Sequence, residues 1–385
     1  MLKIFMLPAD DGDCFVLEFD NEIIIIDCGT RNTYHSQLKP LLISFSKIEK
    51  HVRLLIITHI DRDHIEGAIE FLKDIKQDRY INIDEIWFNG YLHILPNDIV
   101  NSNITESERR ILERYLYGYQ YNFTRDNEAI SAKQGMTFTK LIIETGIKWN
   151  SSFERNPIVK GLKINILSDV CIEIISPCTT ALTNMFTQWV KELNTQKYNF
   201  RAFNSEIVSD AFELYMANGY CLDTVVNLPV SNKSFVFENL VKSEYFPDTS
   251  LTNKSSIAFE LTYKEKRFLF LGDIEGQAIC DYYSAHQHFE IIKVAHHGSA
   301  RNNPLGLYKL IHSPVYLVST NGNKNNHPSL ETVAKIAFSN YDYGINTRII
   351  FNYNHRKLDQ LNDVVLKEKY RYDFETTKEY IVYEE

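Results

Sequence analysis

Short apolar runs along the chain break repeatedly into polar loops that carry histidine or aspartate, and this rhythm predicts a sheet-rich α/β fold. The run Val52-Arg53-Leu54-Leu55-Ile56-Ile57 is the clearest case. Its apolar residues are continuous rather than alternating, as in a strand covered on both faces. It closes in Thr58-His59-Ile60-Asp61-Arg62-Asp63-His64. Ile65, Ala68, Ile69, Leu72 and Ile75 then share one face of a helix, and Gly67 lets its first turn approach a neighbour closely. A strand end followed by a helix N-terminus is where α/β proteins build their sites.

The same alternation recurs elsewhere. Residues 3–7, 14–19 and 22–29 predict a strand meander, turning at Asp10-Asp11-Gly12-Asp13 and at Asp20-Asn21. The third of these runs ends in Asp27-Cys28-Gly29, which is either a plain turn or a carboxylate that supports the 58–64 loop from beneath. Residues 83–88 form a strand running into Asn89-Gly90-Tyr91-Leu92-His93. Residues 255–263 and 267–271 predict a hairpin ending in Gly272-Asp273. Residues 291–295 lead into His296-His297-Gly298-Ser299, and residues 315–319 into a polar loop that closes in His327-Pro328. A helix over 329–338 and a strand over 347–352 follow. Between 101 and 250 the texture changes to helix-like stretches (106–117, 180–193, 206–216) amid Asn-rich connections, with sheet-like pieces at 162–167 and 171–175. The expected organisation is therefore a core half over 1–100, an insertion that shapes substrate access and carries some core strands over 101–250, and a second core half over 251–385.

Composition narrows the setting. A hydrophobic fraction of 44% with 13% aromatics over 385 residues supplies a large core and argues against disorder. The net charge of −9 is ill suited to gripping a long polyanion, so a nucleic-acid substrate has to be held locally. The six cysteines (Cys14, Cys28, Cys171, Cys178, Cys221, Cys280) form no CxxC pair and read as free thiols; Cys14 and Cys28 lie near strand ends and are minor candidates for a ligand role. The opening MLKIFMLPADDGD has acidic residues where a signal peptide needs its apolar centre, and no run reaches the ~18 apolar residues of a membrane span. The expectation is a cytoplasmic protein without a membrane partner.

Imidazoles and carboxylates are the side chains that hold divalent hydrolytic metals, and four of them sit within six residues at 59–64. Taken with Gly272-Asp273 and His296-His297-Gly298-Ser299, the pattern His59-x-Asp61-x-Asp63-His64 resembles the metallo-β-lactamase superfamily. Within it, the chain resembles the branch of the hydrolase domain of the competence DNA-uptake channel and its stand-alone prokaryotic defence-type relatives. The resemblance rests on residues 1–95 and 250–330. It implies an α/β fold of the αββα sandwich type with a large helical insertion, and two divalent ions, Zn2+ or Mn2+, at one edge of the sheets. It further implies His59 and Asp61 at a first metal, Asp63 and His64 at a second, Asp273 bridging, and His296 or His297 completing the second. A bridging carboxylate and a hydroxide held between two cations are what such chemistry requires.

Two departures stand out. Asp61 occupies a place where the superfamily's commoner motif has histidine, and Ile174-Ile175-Ser176-Pro177 lacks the histidine expected in mid-chain. His93 is the candidate replacement, as ligand or substrate contact. An oxygen-rich donor set weakens the case for zinc and strengthens that for manganese. His327, before a helix start, is a candidate to orient a phosphate oxygen or protonate a leaving group. Lys324, Arg301 and Arg62 are candidate phosphate contacts.

The expected function is a metal-dependent phosphodiesterase or nuclease that uses a metal-bound hydroxide, with Asp63, Asp273 and His327 as catalytic residues. Its substrate would be nucleic acid or a nucleotide, and its setting a multi-gene prokaryotic defence system with partner proteins. Two alternatives stand beside it: a metal-dependent amide, lactone or thioester hydrolase, and a degenerate, non-catalytic sensor or assembly subunit.

Overall fold

A computed structural model describes residues 1–95, 104–123, 137–195, 205–219, 236–323, 326–377 and 381–383. In chain order the strands begin with β1 (Leu2–Met6), β2 (Phe15–Phe19), β3 (Glu22–Ile26), β4 (His51–Ile56), β5 (Glu85–Trp87) and β6 (Lys148–Trp149). They continue as β7 (Lys163–Leu167), β8 (Val170–Ser176), β9 (Ala258–Tyr263), β10 (Lys266–Phe270), β11 (Gln287–His288) and β12 (Ile291–Lys293). The last are β13 (Ile311–His312), β14 (Val315–Val318), β15 (Thr347–Phe351), β16 (Tyr372–Thr376) and β17 (Ile381–Tyr383).

Two large sheets result, ordered β17-β1-β2-β3-β4-β5-β6 and β16-β15-β14-β12-β10-β9-β8-β7. Their facing sides form one apolar layer. Ile24 and Ile26 of β3 point into it from the first sheet, and Phe268 and Phe270 of β10 from the second. The outer faces are covered by helices. Ile23 and Ile25 pack towards Phe71 and Leu72 of the helix Arg62–Gln77. Leu269 packs towards Val333 and Ile336 of the helix Leu330–Asp342. Ile23 to Ile26 therefore run without a polar break because each side of the strand is buried. The architecture is the αββα sandwich that the motifs imply.

The described part of the insertion divides as its periodicities suggest. β7 and β8 extend the second sheet as a hairpin on β9. The helices Glu106–Phe123, Thr179–Thr195 and Glu206–Gly219 appear where helix-like stretches are expected. Leu182, Trp189 and Phe212 join Leu141 and Ile142 in the core outside the first sheet.

Three features go beyond the sequence reading. Residues 31–46 are helical, in a stretch where Pro40 interrupts the pattern by sitting at the start of the helix Lys39–Ser46, a place proline tolerates. β16 alternates charged and aromatic residues on an edge, and β17 closes the other sheet by pairing with β1, so the chain's last strands bracket the fold. Gly67 has the role read for it: its N–H donates to Gly29 O at 2.9 Å, and a Cβ there would lie 2.1 Å from Cys28 O.

What positions the site is strand direction. β3 and β4 are parallel, as are β10, β12, β14 and β15. Their carboxyl ends deliver Asp27, the 58–64 loop, Asp273 and His296-His297 to one edge of the sandwich. Across that edge Ile257 N–H donates to Thr58 O, Ser319 Oγ to Gly12 O and Asn352 Nδ2 to Leu7 O, so the two halves are stitched beside the site.

Candidate metal centre

The 58–64 loop leaves β4 buried and enters the helix Arg62–Gln77 with Asp61 at the cap position and Asp63 in the first turn. His59 and His64 are buried, while the Asp61 and Asp63 side chains remain about a third exposed (32% and 29%). Asp27 lies beneath the loop at a positive φ of 55°. One of its oxygens accepts from Thr58 N–H at 2.8 Å, and the other from Thr58 Oγ1 at 2.7 Å and from His64 Nδ1 at 2.8 Å. It is therefore the support suggested by the sequence and not a plain turn. By accepting a hydrogen bond from Nδ1–H it fixes the tautomer of His64 and leaves the Nε2 lone pair free to bind a cation.

The other rings are oriented in the same manner. His297 Nδ1 donates to Ser319 O at 2.8 Å, and His59 Nδ1 meets Thr58 Oγ1 at 3.0 Å. His59 Nε2, His64 Nε2 and His297 Nε2 are buried with no hydrogen-bond partner among the described residues. Leaving so many polar atoms unpaired in one place is costly unless something binds them.

Asp273 is the hub. Its Oδ2 stands 3.3 Å from His64 Nε2, 3.3 Å from His297 Nε2, 3.7 Å from His296 Nε2 and 3.8 Å from His59 Nε2. Asp61 Oδ2 lies 3.5 Å from His59 Nε2, and Asp63 Oδ2 lies 3.6 Å from His297 Nε2. Potential ligand atoms fall within 4.8 Å of one another in His59–His64–Asp273, in Asp63–His64–His297 and in Asp13–Asp273–His297. The donor set, with its orphaned nitrogens facing a shared carboxylate, fits divalent cations. His59, Asp61 and Asp273 would hold one, and Asp63, His64, His297 and Asp273 a second close by.

The electrostatics point the same way. Burial alone pushes the His64 and His297 imidazoles down, but the neighbouring carboxylates, Asp273 foremost, carry both well above the ordinary range. Burial likewise opposes ionisation of Asp273, yet the rings of His297, His64 and His296 hold it well below the usual carboxylate range. The centre thus favours positive charge at the imidazole nitrogens, which a cation supplies as a proton does.

Of the pair at 296–297, His297 belongs to the tight donor groups. His296 stands beside them, held through Nδ1 by Asn302 Oδ1 at 2.8 Å, with Asn253 Nδ2 at 3.3 Å and Asp248 Oδ2 at 3.5 Å. Its ring centroid is 5.3 Å from that of His327, whose Nδ1 is buried without a hydrogen-bond partner among the described residues. Arg62 Nε pairs with Glu66 at 3.5 Å, and Arg301 O accepts from Asp248 N–H on the same rim as His296. Lys324 and Cys221 lie outside the described residues. Cys14 and Cys28 are buried thiols pushed well up by desolvation, and neither belongs to a donor group.

His93 is not brought to the centre. It is buried in the short helix Tyr91–Ile94 with its ring edge-on to Trp149, centroids 4.4 Å apart, and it belongs to none of the donor groups. The strand end that would have aimed it at the sheet edge turns instead into that helix. Burial pushes its imidazole down to about 4 from an ordinary 6.5. The unfolded chain therefore takes up the proton first as pH falls. The stabilisation is complete above about pH 6.5 and is lost between there and pH 4, by on the order of 3 kcal/mol. A His93→Phe variant is expected to lose less melting temperature than the parent between pH 7 and pH 4.5, and equal losses would refute the assignment.

Sequence reasoning missed Asp13, Lys293, Asp248, Asn253 and Asn302. One signal was available: Lys293 interrupts an apolar strand at a position the sheet covers.

An αββα sandwich with histidine and aspartate donors gathered at its strand ends defines a metal-dependent hydrolase of the metallo-β-lactamase type. The sequence model of the metallo-beta-lactamase superfamily matches residues 7–90, the stretch carrying Asp27 and the 58–64 loop. No curated protein matches it. Among solved structures, it is similar to the metallo-beta-lactamase fold protein YhfI from Bacillus subtilis, with 8% identity, 100% of each chain covered and a TM-score of 0.41. It is also similar to the Zn2+-bound PqqB from Methylobacterium extorquens, with 8% identity, 100% of each chain covered and a TM-score of 0.39. A protein described as a putative metal-dependent hydrolase from Parabacteroides distasonis ATCC 8503 shares 10% identity over 90% of this chain and 92% of that one, with a TM-score of 0.36. Among the described residues, no helix is long and apolar enough to cross a membrane.

Proposed function

We propose that the protein is a metal-dependent phosphodiesterase acting on a short nucleic-acid strand or a nucleotide. The observation that carries this reading is the nitrogen-rich rim beyond Asp273. His296 and His327 stand ring to ring there, and Lys357 binds the backbone oxygen of Asn326 next to them. Such donors complement the oxygens of a transferring phosphoryl group, whereas a neutral amide or lactone gains little from them. Divalent cations bound at the centre supply an activated water and offset charge on the phosphoryl oxygens. The protein's own groups orient that reaction: Asp63 and Asp273 present carboxylate oxygens, and Asp27 and Ser319 hold the rings of His64 and His297 in register. Burial keeps His327 well below its ordinary pKa, which suits a neutral ring that donates a hydrogen bond to a phosphate oxygen better than one that protonates a leaving group.

An amide, lactone or thioester substrate calls for an apolar pocket, which aromatic residues of the insertion would have to line. Phe138, Trp189, Phe212 and Tyr215 are instead packed into the core outside the first sheet. The intact donor set also speaks against a degenerate, non-catalytic subunit. The defence-system setting and its partner proteins remain part of the proposal through the resemblance at 59–64 and 296–299.

Paired assays test it. Purified protein loaded with Mn2+ or Zn2+ is expected to hydrolyse bis-nitrophenyl phosphate and to leave a chromogenic lactam and a thioester untouched, with a chelator abolishing turnover. Hydrolysis of the lactam or thioester but not the phosphodiester would overturn the proposal.

A further inference from the structure

Lys293 ends β12 and is only 1% exposed. Lysine is almost never buried to that degree unless it is paired. Its ammonium binds Asp13 Oδ2, donates to Gly272 O at 3.0 Å and stands 3.7 Å from Asp273 Oδ1. β10 and β12 run parallel with Phe270 opposite Lys293, so the lysine sits beside the strand end from which Gly272 and Asp273 depart.

The two oxygens of Asp273 consequently have different surroundings. Oδ2 faces the imidazole nitrogens, whereas Oδ1 faces the ammonium. Asp13 is divided in the same way: Oδ2 is taken by Lys293, and Oδ1 lies 3.5 Å from His297 Nδ1. Asp13 is close enough to form a donor group with Asp273 and His297. A carboxylate with both oxygens free can chelate one cation instead of bridging two, and a free Asp13 could become a competing ligand.

We propose that Lys293 is a positioning residue whose buried ammonium binds Asp13 and faces Asp273 Oδ1, keeping both behind the centre, so that Oδ2 is the oxygen Asp273 would offer to cations held there. The proposal rests on the reading of the site as a two-cation centre and not on which bond is hydrolysed. The competing account is that Lys293 merely offsets a buried carboxylate. The two differ in what happens when both charges are removed together, since that change leaves no unpaired ion behind.

The full-length parent, Lys293→Met and the double variant Lys293→Met/Asp13→Asn are loaded with Mn2+. Electron paramagnetic resonance reads the magnetic coupling within the metal pair, and kcat and KM are measured alongside. The parent is expected to show a coupled pair. Both variants are expected to bind Mn2+ with altered coupling and with kcat lowered about 10–100-fold at little changed KM. Recovery of the parent's coupling and kcat in the double variant would overturn the proposal, as would a Lys293→Met protein indistinguishable from the parent. A single uncoupled Mn2+ in the parent would remove the two-cation reading itself, an outcome separate from a coupled parent whose variants do not change.

Discussion

Asp63→Ala is expected to abolish turnover while the protein stays folded. Asp63 brings a carboxylate oxygen to within 3.6 Å of His297 Nε2 and sits in a donor group with His64 and His297, so its loss removes an anionic ligand from one half of the centre. The fall in kcat is expected to be on the order of 10³-fold or more, because both the activated water and the charge compensation depend on that half. The side chain is in the first helical turn and only partly buried, and its absence opens no cavity in the apolar layers. The metal-free variant should therefore melt within a few degrees of the metal-free parent, whereas the rise in melting temperature on adding Mn2+ or Zn2+ shrinks. Calorimetry with and without metal, beside a turnover assay, reads both parts. A variant as active as its parent would show that Asp63 is no ligand.

Gly12→Ala is expected to damage the centre from the opposite side. Gly12 lies in the turn between β1 and β2, and a Cβ there would fall 1.8 Å from Asp63 O and 2.6 Å from Asp63 C. Both are backbone atoms, so neither can rotate away. The turn is also tied to the far half by Ser319 Oγ donating to Gly12 O at 2.7 Å. The turn and the first helical residues must separate, at a cost of about 3 kcal/mol or more in stability. Asp63 moves with them, so activity should fall even at temperatures where the variant is folded. Gly306→Ala is the matched control, since a Cβ on that helical glycine meets nothing within 4 Å, and it should leave both stability and activity near the parent's. A Gly12→Ala protein with unchanged melting and turnover would mean that the turn does not touch the metal loop.

These two residues show what could be read from the chain and what could not. The strand-end clusters at 59–64, Asp273 and the 296–297 pair, which the fold brings together, were legible because each interrupts an apolar strand at its end, a local pattern. Asp27 was half legible: its place at a strand end was visible, but its grip on His64 depends on β3 and β4 being neighbours. Gly12 and Asp13 read as an ordinary turn, because nothing local says that this turn faces a helix fifty residues away. Asn302, Asn253 and Asp248 hold His296 through contacts made only after folding. His93 misled for the opposite reason. A histidine after a strand looked like every other donor in the chain, and only the turn into a short helix sends it against Trp149. The alternation of charged and aromatic residues in β16 was a two-residue signal that the sequence reading passed over.

The stitching between the halves also bears on when the centre comes into being during synthesis. Asn352 holds Leu7 O, β17 pairs with β1, and the shared Asp273 follows Asp63 by more than two hundred residues. A nascent chain emerging from the ribosome carries its first four donors long before the oxygen that joins them, and such distant pairings form slowly. For most of its translation the donor cluster is incomplete, and it closes only once the carboxyl-terminal third has folded back onto the first sheet.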